Sequence, residues 1–203
     1  MRPPAAGPDS AWPLWVVVSV TGAVLGTLAA WPVRALLTEP APDWVVAALR
    51  DLGTIVTALI GAGAQWLLLR RYRLDVYWWV PATVAASVLA VLVVIPPVGR
   101  LVVPPGGSIL AGGAVIAGGA AVGAGGLVIG AAQAFVLRAS AGNIAWAWIP
   151  VTGIGGGLAG SVTSALSIQL PGLPPLATIG LLSAVGALLI SASQAPVLRR
   201  LLS

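Results

Sequence analysis

The 203-residue chain has no cysteine and no histidine, and all ten of its basic residues are arginine. The lack of cysteine excludes disulfides, thiol chemistry and thiolate metal sites. The lack of histidine removes the commonest general base, metal ligand and axial ligand for haem or chlorophyll. Charge is scarce too: 7% of residues are charged, where a soluble globular chain carries about 25%. No acidic residue lies clearly inside an apolar run, whereas proton-coupled transporters usually need one there. With neither His, Cys nor a carboxylate pair, no nucleophile–base set can be assembled, and the expectation is a protein that is not an enzyme.

What remains is apolar. Hydrophobic residues make up 59% of the chain, and the runs reach the roughly 20 residues that a bilayer-spanning helix requires. The sequence therefore reads as an integral membrane protein. The net charge of +5 is no sign of nucleic-acid binding, because the arginines cluster at the ends of hydrophobic runs rather than on one basic face. Nucleic acid is excluded as a partner on that ground, and membrane lipid is expected.

Six spans are predicted, near residues 14–31, 52–69, 77–95, 109–137, 144–166 and 176–198. Pro96-Pro97 is expected to end the third, and the proline-rich segment 171–175 follows the fifth. The even-numbered spans end in arginine. If those ends share a side, Arg2, Arg70, Arg71, Arg73, Arg138, Arg199 and Arg200 face Arg34, Arg50 and Arg100 across the membrane. The excess of arginine marks the cytoplasmic face of a bacterial inner membrane and places both termini there. Arg70, Arg71, Arg73, Arg138, Arg199 and Arg200 are expected to act as cytoplasmic anchors touching anionic headgroups. Cleavage of the first span as a signal peptide is disfavoured, since its apolar run is long and no small-x-small site follows.

The even spans close on LIGAGAQWLLLR (59–70), LVIGAAQAFVLR (127–138) and LLISASQAPVLR (188–199), each with Gln, then Leu four residues on, then Arg. The odd spans open on WVVVS (15–19), WVPAT (79–83) and WIPVT (148–152). Three recurrences at one topological place predict an all-α fold of three repeated helical hairpins. The repeats run at about 12–73, 74–140 and 141–203 within a single transmembrane domain, with a pseudo-three-fold axis along the membrane normal. Arginine marks the interface, so Gln65, Gln133 and Gln194 lie about 7 Å deeper. Trp15, Trp78, Trp79, Trp146 and Trp148 are assigned to an interfacial aromatic belt at that level.

Two roles suit the glutamines. As interhelical contacts, Gln65 and Gln133 would donate to the carbonyls of Tyr77 and Trp146, which Pro81 and Pro150 leave without a partner; such contacts average about 0.6 kcal/mol. Alternatively, all three converge on the axis and line a polar constriction. Glycine stripes run through Gly22 and Gly26, through Gly119, Gly123, Gly126 and Gly130, and through Gly153 and Gly157. They are read as close-packing positions between helices, or as a groove for a flat ligand such as a pigment or a lipid tail. No cofactor is identifiable from the residue types.

Gln65 to Arg70, followed by Trp78-Trp79, resembles the Q-W-x-x-L-R hairpin ends of uncharacterised bacterial multi-spanning membrane proteins. The resemblance covers the hairpin ends and implies a membrane location, but no activity. The resulting expectation is a non-catalytic structural or accessory subunit of a larger bacterial membrane complex, in contact with lipid or pigment. The alternative is a channel or facilitator for a small solute.

Overall fold

A computed structural model describes residues 8–35, 42–72, 74, 76–102 and 111–202. Those residues are almost entirely helical, with no strand among them. The helices are α1 (Pro8–Ala29), α2 (Trp31–Ala35), α3 (Asp43–Arg71), α4 (Trp79–Leu89), α5 (Ile95–Val102), α6 (Ala111–Ala141), α7 (Trp148–Gln169) and α8 (Pro175–Leu202). Five helical stretches are long and apolar enough to cross a membrane. One of them, Gly112–Gln169, is 58 residues long and would reach about 87 Å if straight. It folds back instead. A 3₁₀ turn, Gly142–Ala147, breaks it, and Gly142 adopts φ 59° at the bend, a conformation that costs glycine little.

Pro96-Pro97 does not end its helix, contrary to the sequence-based expectation. A π-helical turn, Ala90–Val94, joins α4 to α5, and the Ile95 N–H donates to the Ala90 carbonyl. Lengthening the ladder by one residue just before the prolines lets the chain pass two missing N–H donors without stopping.

Each long helix packs on its neighbours in the chain, and α8 closes the ring by packing on α1. The glycine stripes supply two of these contacts. A Cβ on Gly126 would lie 2.7 Å from the Thr152 carbonyl oxygen, and one on Gly123 would lie 3.3 Å from the Gly153 oxygen. One on Gly26 would lie 2.8 Å from the Thr57 oxygen, and one on Gly22 would lie 3.2 Å from the Gly61 Cα. Gly119 and Gly130 of α6 likewise face Ser161 and Ile149 of α7, while Gly153 sits under Leu127 and Gly157 near the Gly119 oxygen. At α1–α3 and α6–α7 the backbones approach too closely for a side chain between them. Lipid gives helices no hydrophobic push toward each other, so such contacts rest on dispersion between close backbones.

Candidate functional site

The tryptophans that open WVVVS, WVPAT and WIPVT pack against one another inside the bundle, not in an exposed belt. Trp15 (α1), Trp79 (α4) and Trp148 (α7) are each 0% exposed. Their rings meet edge to face, with centroids 5.5 Å apart for Trp15–Trp148 and 6.1 Å apart for the other two pairs. The belt assignment is therefore corrected for these three. Trp78 and Trp146 do reach the exterior, at 72% and 41% exposed. Edge-to-face contact aims the positive ring edge at a negative face and adds about 0.5–1.5 kcal/mol per pair beyond area burial. Beneath the indoles pack Leu69, Leu137 and Leu198, the leucines four residues after each glutamine, all almost fully buried.

The glutamines clasp this cluster. Trp15 Nε1 donates to Gln194 Oε1 at 3.2 Å, and Trp148 Nε1 donates to Gln133 Oε1 at 2.8 Å. On the other side of each carboxamide, Nε2 donates to a hydroxyl one turn above a cluster tryptophan. Gln65 reaches Ser19 at 3.0 Å, Gln133 reaches Thr83 at 3.2 Å, and Gln194 reaches Thr152 at 2.9 Å. Thr152 Oγ1 passes the chain on to the Trp148 carbonyl at 2.7 Å. A run of bonds thus leads from Trp15 through Gln194, Thr152, Trp148 and Gln133 to Thr83.

These partners differ from the carbonyls of Tyr77 and Trp146 expected for Gln65 and Gln133. The reason lies in where the helices begin. Trp79 and Trp148 open α4 and α7, so Pro81 and Pro150 sit in the first turn, whose N–H groups lack an intrahelical partner anyway.

At one position the pattern is incomplete. Among the described residues, Trp79 Nε1 is buried without a hydrogen-bond partner, and Gln65, its counterpart on α3, bonds to Ser19 rather than to an indole. An unpaired buried donor costs about 1–3 kcal/mol. The clasp is thus closed at every seam it spans except that between α3 and α4.

Above the clasp lies a cavity of about 270 Å³. Gln65, Gln133, Gln194, Ser19, Thr83 and Thr152 gather at its tryptophan end. Small apolar residues of α1, α3, α6 and α8, with Ala90 and Val91 of the π turn, line most of the rest together with Thr57, Ser87 and Ser191, and no charged residue is among them. A second cavity, of about 760 Å³, shares Ala23, Thr57, Val122, Ala187 and Ile190 with the first and extends it away from the indoles. Hydroxyls edge its walls: Thr27 and Ser183 bond at 2.9 Å, and Thr163, Ser164 and Ser167 add three more. The glutamines thus join neighbouring helices through Ser19, Thr83 and Thr152 and also line the first cavity.

The arginines of the even-span ends point outward at the tryptophan end. The Arg70 guanidinium lies 4.6 Å from the Trp66 ring centroid, and that of Arg138 lies 5.6 Å from the Trp146 centroid. Arg71, Arg199 and Arg200 are exposed, while Arg73 lies outside the described residues. The hydroxyls at positions 19, 83 and 152 had not been singled out from sequence. Their signal was present, since Trp and Ser/Thr four apart share a helix face. Among the described residues no group of His, Cys, Asp or Glu is arranged to hold a metal ion. Comparison with protein-family models, curated proteins and solved structures finds no match.

Proposed function

We propose that the chain is a non-catalytic, six-span protein of a bacterial inner membrane that serves as a structural or accessory subunit of a larger membrane complex. Its Gly112–Gln169 stretch counts as two crossings, so three helical hairpins surround a pseudo-three-fold axis and both termini face the cytoplasm. The resemblance of the Gln65 to Arg70 hairpin end to those of bacterial multi-spanning proteins agrees with that placement. The observation that carries the reading is the sealed tryptophan end of the axis. Three fully buried indoles over three buried leucines leave no passage there, as suits a protein that works through its outer helix faces. Those faces carry exposed apolar side chains such as Leu67, Val93, Ile116, Phe135 and Ile154, which meet lipid, pigment or partner helices. The test is purification from the native membrane in mild detergent, followed by native mass spectrometry and an absorption spectrum. Stoichiometric partner subunits or a pigment band support the proposal; a colourless species with no partner overturns it.

A second reading, a facilitator for a small uncharged solute, draws on the two cavities in series along the axis. It requires the indole cluster to part. Solute flux into protein-loaded liposomes, compared with empty ones, decides it.

A further inference from the structure

We propose that the cavity above the clasp is a binding site for a small uncharged amphiphile: a short apolar body carrying one hydroxyl, seated with the hydroxyl toward Gln65. The inference holds whether the protein acts as a subunit or as a facilitator.

Three features define the ligand. First, the lining carries no charge, so an ionised ligand would surrender its hydration with no counter-charge to replace it. Second, the polarity is one-sided. The three carboxamides and the Ser19, Thr83 and Thr152 hydroxyls lie at the tryptophan end, whereas Ala23, Ala58, Val122, Ile129 and Ile190 line most of the remainder, where Thr57, Ser87 and Ser191 turn their hydroxyls to carbonyls of their own helices. That division suits a molecule with one polar end. The volume of about 270 Å³ falls just below the range of about 300–1,000 Å³ typical of sites for drug-sized ligands, which points to a short molecule rather than a full lipid chain.

Third, the α3–α4 seam specifies the polar group. Gln133 and Gln194 use their oxygens on indole N–H groups. The Gln65 oxygen receives no such bond, and the Trp79 N–H finds no acceptor although it is fully buried. Gln65 lines the cavity, whereas the Trp79 indole is sealed beneath it and is not among the lining residues. The seam thus offers a ligand one acceptor. A hydroxyl can donate to Gln65 Oε1, whereas a carbonyl brings no donor to it. Gln65 is the half-buried member of its trio and faces the cavity, so it is the one a ligand meets. The second cavity provides the approach, its hydroxyl-edged walls leading to the same hollow.

The probe is a terminally fluorinated hexanol, with fluorohexane as its match lacking the hydroxyl, both followed by fluorine NMR on the full chain in detergent micelles. The expected result is a saturable bound resonance for the alcohol and binding of the alkane weaker by about three- to ten-fold, the value of one hydrogen bond. Gln65→Leu is expected to weaken alcohol binding by a similar factor. Ala58→Phe, which fills the cavity, abolishes the bound resonance. Phe135→Leu, on the outer surface, leaves it unchanged. Near-ultraviolet circular dichroism of the indole cluster verifies that each variant is folded. Equal binding of alcohol and alkane overturns the proposal, as does an unaltered affinity in folded Gln65→Leu. Absence of any saturable resonance in the unmodified protein overturns it as well.

Discussion

A carboxamide carries two N–H donors and an acceptor oxygen on separate atoms of one uncharged group, and Gln133 shows what this permits in an apolar bundle. It accepts from Trp148 of α7 while donating to Thr83 of α4. Gln65 holds one such bond and Gln133 two, so Gln133→Leu should destabilise the fold by about 1–3 kcal/mol, and Gln65→Leu by about half as much. Unfolding in mixed micelles titrated with a denaturing detergent measures both. A second comparison isolates the indole N–H. Trp148→Phe and Trp79→Phe remove similar volume from the same cluster, but only Trp148 loses a hydrogen bond and strands an acceptor. Trp148→Phe should therefore be the more damaging by about 1–2 kcal/mol. Equal losses would show that the Trp79 N–H is satisfied in solution.

Between helices, glycine decides how near two backbones come. The α6–α7 seam brings the Gly126 Cα so close to Thr152 that a methyl group there would stand 2.7 Å from a carbonyl oxygen. Gly126→Ala should cost about 1–3 kcal/mol through overpacking. Gly112→Ala, on the same helix with open space around it, should be neutral or slightly stabilising, because alanine is the better helix former. The same unfolding titration separates the two. The small-residue spacing made these contacts readable in advance, since a stripe at every fourth residue lies along one helix face. The π turn was not readable. Two consecutive prolines in a sequence normally signal a stop, and only packing of Ile95 and Ala90 against Gly125 shows a helix held together across them.

At the scale of the whole molecule, the ring of helices places the arginine-bearing ends of α3, α6 and α8 beside the indole cluster. The chain contains no cysteine, so single introduced cysteines report topology without a background. Ala139, in the last turn of α6, and Gly172, just past the end of α7, are both exposed, so Ala139→Cys and Gly172→Cys bracket the proposed crossing by α7. In intact cells a membrane-impermeant thiol reagent should label Cys at 172 and spare Cys at 139 until the membrane is opened. The reverse pattern would invert the proposed orientation, and labelling of both would remove the crossing by α7.

Composition and periodicity by themselves determined that the chain is helical and apolar enough for a membrane, because both properties are local: they depend on the length of a hydrophobic run and on what interrupts it. They also marked the glutamines and the glycine stripes, whose spacing places them on definite faces. What only the tertiary structure decided is which way those faces turn. A tryptophan next to an arginine-rich helix end suits an aromatic belt and a packed interior equally well on hydropathy alone, and Trp15, Trp79 and Trp148 went to the interior. They did so because Ser19, Thr83 and Thr152, one turn along, receive the glutamine amides of a neighbouring helix. Each of those bonds joins residues 42 to 50 positions apart, and a relation of that kind exists only once the ring of helices has closed.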